Sequence, residues 1–180
     1  MSAATQTPQV SVIIPAYNGD RYIVQAVESA IGQTLTDWEI IVVDDGSTDA
    51  THRVLQPYFD RIRYVYQENR GVAAARNRGI QESQGKFIAF LDQDDFFLPD
   101  KLAAQIALFC QQPSLGIVNS GWRLVNQQGD TISDITPWLY FPKLDLETWI
   151  VQMPVLPSAM IMSRQWLELA GGFNSEFDAV

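Results

Sequence analysis

Asp92-Gln93-Asp94-Asp95 places three carboxylates within four residues, directly after the apolar run Phe87-Ile88-Ala89-Phe90-Leu91. Carboxylates this close repel one another, and a hard divalent cation with oxygen ligands relieves the repulsion. A turn or a helix cap needs fewer acids, so the cluster points to metal-linked chemistry. Two other apolar runs end in polar, turn-forming residues. Val10 to Pro15 leads into Pro15-Ala16-Tyr17-Asn18-Gly19, and Ile40 to Val43 leads into Asp44-Asp45-Gly46-Ser47-Thr48-Asp49. Each of these alone reads equally as a turn or as a site. Their weight comes from convergence, because ligands of open α/β sheets bind outside the carboxyl ends of the strands.

The rest of the composition removes other chemistries. Cys110 is the only cysteine and His52 the only histidine, which excludes an intrachain disulfide, a multi-cysteine metal site and Ser/His/Asp or Cys/His catalysis. Cys110 falls in the pattern Leu102, Ile106, Phe109 and reads as a small buried hydrophobe; His52 lies in a polar stretch and reads as an exposed helix residue. With 12 basic and 21 acidic side chains the net charge is -9, so there is no electrostatic footprint for nucleic acid. A phosphate-bearing ligand would need a metal ion, backbone donors or a few placed arginines. No apolar run approaches the ~20 residues that span a bilayer, and Met1 to Gln9 lacks the pattern of a signal peptide. The expected location is cytoplasmic, which includes the cytoplasmic face of a membrane.

The elements that must position these loops alternate. Val10 to Pro15 and Ile40 to Val43 are β-branched runs without polar alternation, as in parallel strands covered on both faces. Asp20 is placed to cap a helix carrying Ile23, Val27, Ala30 and Ile31 on one face. A second helix starts near Asp49, a short strand covers Ile62 to Tyr66, and a third helix runs from Val72 to Ser83. Gly85 ends it, Phe87 opens the central strand, and Pro99-Asp100 opens a fourth helix to Gln111. This order predicts an α/β fold with a right-handed, doubly wound, mostly parallel Rossmann-like sheet. After residue 112 the pattern changes. Gly116 to Val125 and Thr131 to Ile135 flank the hairpin loop Gln127-Gln128-Gly129-Asp130. A Pro- and Trp-rich stretch, a strand at Ala159 to Met162, a helix at Arg164 to Ala170 and Gly171-Gly172-Phe173 follow. We expect this half to extend the same sheet with antiparallel strands.

These segments, in this order, resemble the inverting family 2 nucleotide-sugar glycosyltransferases of the GT-A fold. The resemblance rests on Val10 to Asn18, Val42 to Asp49, Asn69-Arg70-Gly71-Val72-Ala73-Ala74-Ala75-Arg76-Asn77, Phe90 to Asp95, Pro99-Asp100 and Gly171-Gly172-Phe173. It implies one GT-A domain over residues 1–180, with a nucleotide-binding half (1–112) and the start of an acceptor-side half (113–180). Tyr17 would lie against the donor's base, and Asp45 would accept the imide N–H of a uracil or thymine. Pro15, Ala16 and Asn18 would line the same donor pocket. Asp92 would reach the ribose or the metal's water shell, and Asp94 would coordinate Mg²⁺ or Mn²⁺ bridging the diphosphate. Arg76 would support the carboxylates or the phosphates, with Asp95 behind them. The donor would be a nucleoside-diphosphate sugar and the acceptor a hydroxyl of a saccharide, lipid or protein, attacked with inversion.

The family's catalytic base is an acidic residue shortly after Gly-Gly-Phe. Glu176 and Asp178 stand near that place, but we expect the base just after Val180 and the chain to be truncated at its C-terminus, binding nucleotide and transferring little sugar. Two other readings stay open. One is a non-catalytic nucleotide-sugar-binding module. The other is an Asp-dependent phosphotransferase, which needs a lysine at the acid cluster and for which neither Lys86 nor Lys101 is well placed. Trp122, Trp138 and Trp149 could stack on sugars, though isolated tryptophans are more often core or interface.

Overall fold

A computed structural model describes residues 7–140 and 155–175. Its main sheet has six strands in the order β3-β2-β1-β4-β8-β5. The strands are β1 (Val10–Ala16), β2 (Trp38–Asp45), β3 (Arg63–Gln67), β4 (Phe87–Phe90), β5 (Ile117–Asn119) and β8 (Met160–Ser163). β1 pairs in parallel with both β2 and β4, so Ile13 faces Ile41 on one side and Phe90 on the other. The carboxyl ends of these three strands are therefore adjacent, as the convergence of the three loops requires.

Every residue of β1 is buried because apolar side chains on both sheet faces have a cover. Val10, Val12 and Ile14 pack with α1 (Ile23–Ile31) and α4 (Lys101–Gln111). Ile13, Ile41, Val43 and Phe90 pack on the other face with Ala75 of α3 (Val72–Glu82) and Leu167 of α5 (Arg164–Leu169). This two-sided cover explains why β1 and β2 read as unbroken apolar runs. Full burial of a side chain such as Ile13 contributes about 2 kcal/mol. Helix α3 approaches the sheet closely: a Cβ on Gly79 would stand 2.3 Å from Ile13 Cγ2.

Antiparallel strands β8 and β5 continue the sheet beyond β4, the extension expected for the second half. The strand expected over Gly116 to Val125 is instead two. β5 belongs to the main sheet, whereas β6 (Trp122–Val125) pairs with β7 (Thr131–Ile135) as a separate antiparallel hairpin. The break falls where the Ser120 amide donates to Ala159 O and Gly121 passes so close to Ile135 that a Cβ would lie 2.5 Å from its carbonyl oxygen.

Two local expectations are corrected. Asp20 does not cap α1, whose N-terminal residue Tyr22 has no side-chain cap; the Asp20 amide donates to Asp49 Oδ2 and its carboxylate faces the Ala50 amide. Cys110 is exposed, because the buried stripe of α4 is Leu102, Gln105, Ile106 and Phe109, and the next residue has turned away from it. His52 is exposed on α2 (Thr51–Leu55), edge-on to Phe59 and Tyr64. Among the described residues no helix is long and apolar enough to cross a membrane.

Candidate functional site

The loops after β1 and β2 are stitched into one wall. Asn18, at φ 50°, donates its amide to Ser47 Oγ (2.9 Å), and its Oδ1 accepts the Thr48 amide (2.8 Å). The Gly19 amide donates to Thr51 Oγ1 at 2.8 Å. Asn and Gly are the residue types that tolerate such a turn while supplying polar atoms to it. Below this wall Asp44 accepts the Ser47 amide at 2.8 Å and the Tyr64 hydroxyl. Burial and the adjacent Asp44 raise the Tyr64 hydroxyl's pKa, so it stays a proton donor.

Asp45 is buried, with 3% of its surface exposed, and its carboxylate organises the next loop. Oδ1 accepts Gln67 Nε2 (2.6 Å) and the Arg70 amide (3.0 Å), while Oδ2 accepts the Gly71 amide (2.8 Å). Two acceptor positions per carboxylate oxygen leave Oδ2 with one position open. Gly71, at φ 89°, turns the chain into α3, so the positive end of that helix borders the same space.

The acidic loop closes the opposite side. The Asp92 amide donates to Ser158 Oγ (3.0 Å) and the Asp95 amide to Asp92 O (3.0 Å), which fixes the turn. Arg76 Nη2 donates to Asp92 Oδ1 at 2.7 Å. The guanidinium lies over the Phe173 ring, 5.5 Å from its centroid, and its Nε is enclosed without an acceptor among the described residues. Phe173 is itself held by Asn77, through Asn77 Nδ2 to its carbonyl (2.7 Å) and its amide to Asn77 Oδ1 (2.9 Å). Asp95 remains exposed as a residue, yet its carboxyl end is crowded. Burial raises its proton affinity, the charges of Asp92 and Asp94 add to this, and a hydrogen bond with Ser158 opposes it. The Asp94 carboxylate is exposed and has no hydrogen-bond or ion-pair partner among the described residues.

Between these walls lies a cleft of about 680 Å³ lined by Pro15, Ala16, Tyr17, Asp45, Arg76, Asp92 and Asp94, together with Asn69, Gly71, Val72, Ala75 and Gln93. Thus seven of the eight residues expected at the site border one space; the eighth, Asn18, shapes it from behind through Ser47 and Thr48. No lysine lines the cleft among the described residues, so the phosphotransferase reading lacks the lysine it calls for there. Lys101 lines a neighbouring cavity that shares Asp94 with the cleft and includes Trp122. Its amine donates to Gln105 Oε1 at 2.6 Å and lies 4.3 Å from the Phe97 ring centroid. The stem keeps some exposure while the amine end is enclosed, and burial pushes its pKa down to about 7. Trp138 is exposed; Trp149, Glu176 and Asp178 lie outside the described residues.

Ser158, Gln93, Asn77 and Phe173 contribute to the site without a role assigned from sequence. Of the further lining residues, Asn69, Gly71, Val72 and Ala75 lie in the Asn69 to Asn77 segment of the resemblance, which gives a role to Arg76 alone. Ser158 meets Asp92 across 66 positions and leaves no local pattern.

Three groups of carboxylates in one turn do not form a closed metal cage. Among the described residues no three His, Cys, Asp or Glu side chains converge on a point. That donor set fits Mg²⁺ or Mn²⁺ held by one or two carboxylates plus ligand phosphates and water, as such ions are commonly bound. Fold and cleft together define a GT-A type α/β protein with a cleft at the carboxyl ends of its parallel strands. Residues 11–169 match Glycosyl transferase family 2, and the chain belongs to that family. It is 37% identical over 172 residues to chondroitin synthase of Escherichia coli, covering 94% of this chain and 24% of that protein. It is 44% identical over 126 residues to the putative teichuronic acid biosynthesis glycosyltransferase TuaG of Bacillus subtilis, covering 68% and 50%. The chain therefore spans between a quarter and a half of the length of these relatives. In fold it is similar to S. aureus TarS 1-349 in complex with UDP (TM-score 0.75, 24% identity, covering 96% of this chain and 52% of that one). It is also similar to the mannosyltransferase PcManGT of Pyrobaculum calidifontis in complex with GDP-Man and Mn²⁺ (TM-score 0.69, 21% identity, covering 96% and 49%).

Proposed function

We propose that this chain is the donor-binding part of an inverting glycosyltransferase that takes a nucleoside-diphosphate sugar, with uridine as the favoured nucleoside, and depends on Mg²⁺ or Mn²⁺. The observation that carries the reading is the single cleft onto which Tyr17, Asp45, Arg76, Asp92 and Asp94 converge. Its volume suits a ligand of that size. Tyr17 is 47% exposed and offers a flat face to a base. The open acceptor position on Asp45 Oδ2 receives the base's imide N–H, a match for uracil. Asp92, held by Arg76, is directed to the ribose, and Arg76 keeps that carboxylate in place. Asp94 is the direct metal ligand because its carboxylate is uncommitted, whereas Asp95 sits behind it. A divalent ion bound there supplies charge neutralisation for the diphosphate and for the leaving nucleoside diphosphate.

In this reading residues 1–112 form the nucleotide-binding half and 113–180 the start of the acceptor-side half of one domain. The acceptor hydroxyl must lose its proton to a carboxylate, which we place just after Val180. Phe173 supports that placement, because it lies under Arg76 and the chain following Gly171-Gly172 starts beside the cleft. Calorimetry with UDP tests the reading. The expected result is binding that requires Mn²⁺, is lost in Asp94→Ala and survives in Asp95→Ala. Binding of equal strength in EDTA, or equal loss in Asp95→Ala, would overturn it.

A further inference from the structure

Gln93 stands in the middle of the acidic cluster, and the roles assigned to Asp92, Asp94 and Asp95 leave it none. Its side chain nevertheless makes a pair of bonds that, alone among the described residues, crosses the cleft mouth from the acidic loop to the Tyr17 loop. The Tyr17 amide donates to Gln93 Oε1 at 2.9 Å, and Gln93 Nε2 donates to the Tyr17 carbonyl at 3.1 Å. A primary amide thus pairs with the backbone N–H and C=O of one residue, using one donor and one acceptor on each side. Only asparagine and glutamine can do this without a charge. Glutamate would lose the donor and add a fourth negative charge to the loop.

The neighbouring residue is matched to this pair. A Cβ on Gly19 would stand 2.2 Å from Gln93 Oε1 and 2.7 Å from its Cδ. Gly19 therefore leaves the volume that the amide occupies. The other ties of each loop run elsewhere. The Tyr17 loop is fastened on its far side through Asn18 to Ser47 and Thr48 and through Gly19 to Thr51. The acidic loop is fastened by Ser158 and Arg76. β1 and β4 hold the bases of the two loops together as far as the Leu91 amide, which donates to Ile13 O at 3.0 Å; beyond that point the Gln93 bonds are what join the loops among the described residues.

We propose that Gln93 is a positioning residue that registers the aromatic platform of Tyr17 against the metal carboxylate Asp94, so that base and diphosphate of one nucleotide are engaged together. The inference rests on the donor reading given above. Its physical content is that of a linked pair of subsites: two weak contacts reinforce one another only when their spacing matches the ligand. Ligands that use one subsite alone are indifferent to the link.

The test compares three probes, each titrated by calorimetry or NMR: uridine, pyrophosphate with Mn²⁺, and UDP with Mn²⁺. Gln93→Ala is expected to weaken UDP by about tenfold, the scale of two modest hydrogen bonds, while uridine and pyrophosphate change by less than about twofold. Gln93→Asn, one methylene too short for the reciprocal pair, should behave like Gln93→Ala. Gly19→Ala should reproduce the loss by expelling the Gln93 side chain, and in the Gln93→Ala background it should add nothing. Parallel weakening of all three probes, or full additivity of the Gly19 and Gln93 substitutions, would overturn the proposal. If the unsubstituted protein binds pyrophosphate or UDP without regard to Mn²⁺, the donor reading itself fails and the inference falls with it.

Discussion

Replacing Asp45 by asparagine tests how the β2 loop is built. The carboxylate accepts three donors, and two of them are the backbone amides of Arg70 and Gly71, one on each oxygen. Asparagine has one oxygen. Whichever way its amide is turned, an N–H group must face either the Arg70 or the Gly71 amide. Gln67 can turn its own amide to adapt, but the backbone cannot. One part-buried amide loses its partner at about 1–3 kcal/mol, and the two surviving bonds lose their charge assistance at roughly 0.5–1 kcal/mol each. The sum is about 2–5 kcal/mol, on the order of a 5–20 °C fall in Tm for a chain of this size. Thermal and urea unfolding measure the loss, and hydrogen exchange at Arg70 and Gly71 locates it. A Tm within about 2 °C of the parent, with both amides still protected, would refute the reasoning.

Arg76→Lys removes the bond to Asp92 and the stacking over Phe173, since an ammonium cannot make both contacts. We expect a stability loss of about 1–3 kcal/mol by urea melt and UDP binding about tenfold weaker by calorimetry. Gly79→Ala drives a methyl group into Ile13 and should cost about 1–3 kcal/mol with no specific effect on nucleotide affinity relative to the folded fraction. Lys101 gives a pH signature. Its folded pKa of about 7 lies below the ordinary 10.5, so the unfolded chain binds more protons between those values, and this group's contribution rises with pH across that window and is lost as pH falls through about 7. The stability of Lys101→Met relative to the parent should therefore decline as pH is raised from about 7 to about 10, and a constant difference in urea melts would contradict it.

The strands that carry the site were legible because their apolar runs end abruptly in polar turns. Val10 to Pro15, Ile40 to Val43 and Phe87 to Leu91 have no alternation, and the structure buries them on both faces. Convergence of Tyr17, Asp45 and Asp92–Asp95 followed from parallel pairing alone. Hydrogen bonding between loops was not legible. Asp20 has the residue type and spacing of a helix cap, yet tertiary contacts with Asp49 and Ala50 claim it. The motif draws attention to Asn18, but its bonds to Ser47 and Thr48, about 30 positions away, have no local signature. The division of β5 from β6 depends on the Ser120 contact with Ala159, a partner 39 positions away that no local pattern reveals. The same holds for the 76-position link between Tyr17 and Gln93.

The central claim is that one nucleotide lies between Tyr17 and Asp94 with a divalent ion on the acidic loop. Paramagnetic broadening of backbone amide signals by Mn²⁺, recorded with and without UDP, tests it most directly. The expected result is UDP-enhanced broadening at Asp92, Gln93 and Asp94, with Trp38 and Phe87 at the amino ends of their strands far less affected, and its disappearance in Asp94→Ala. Broadening that ignores UDP, or that persists in Asp94→Ala, would contradict the account.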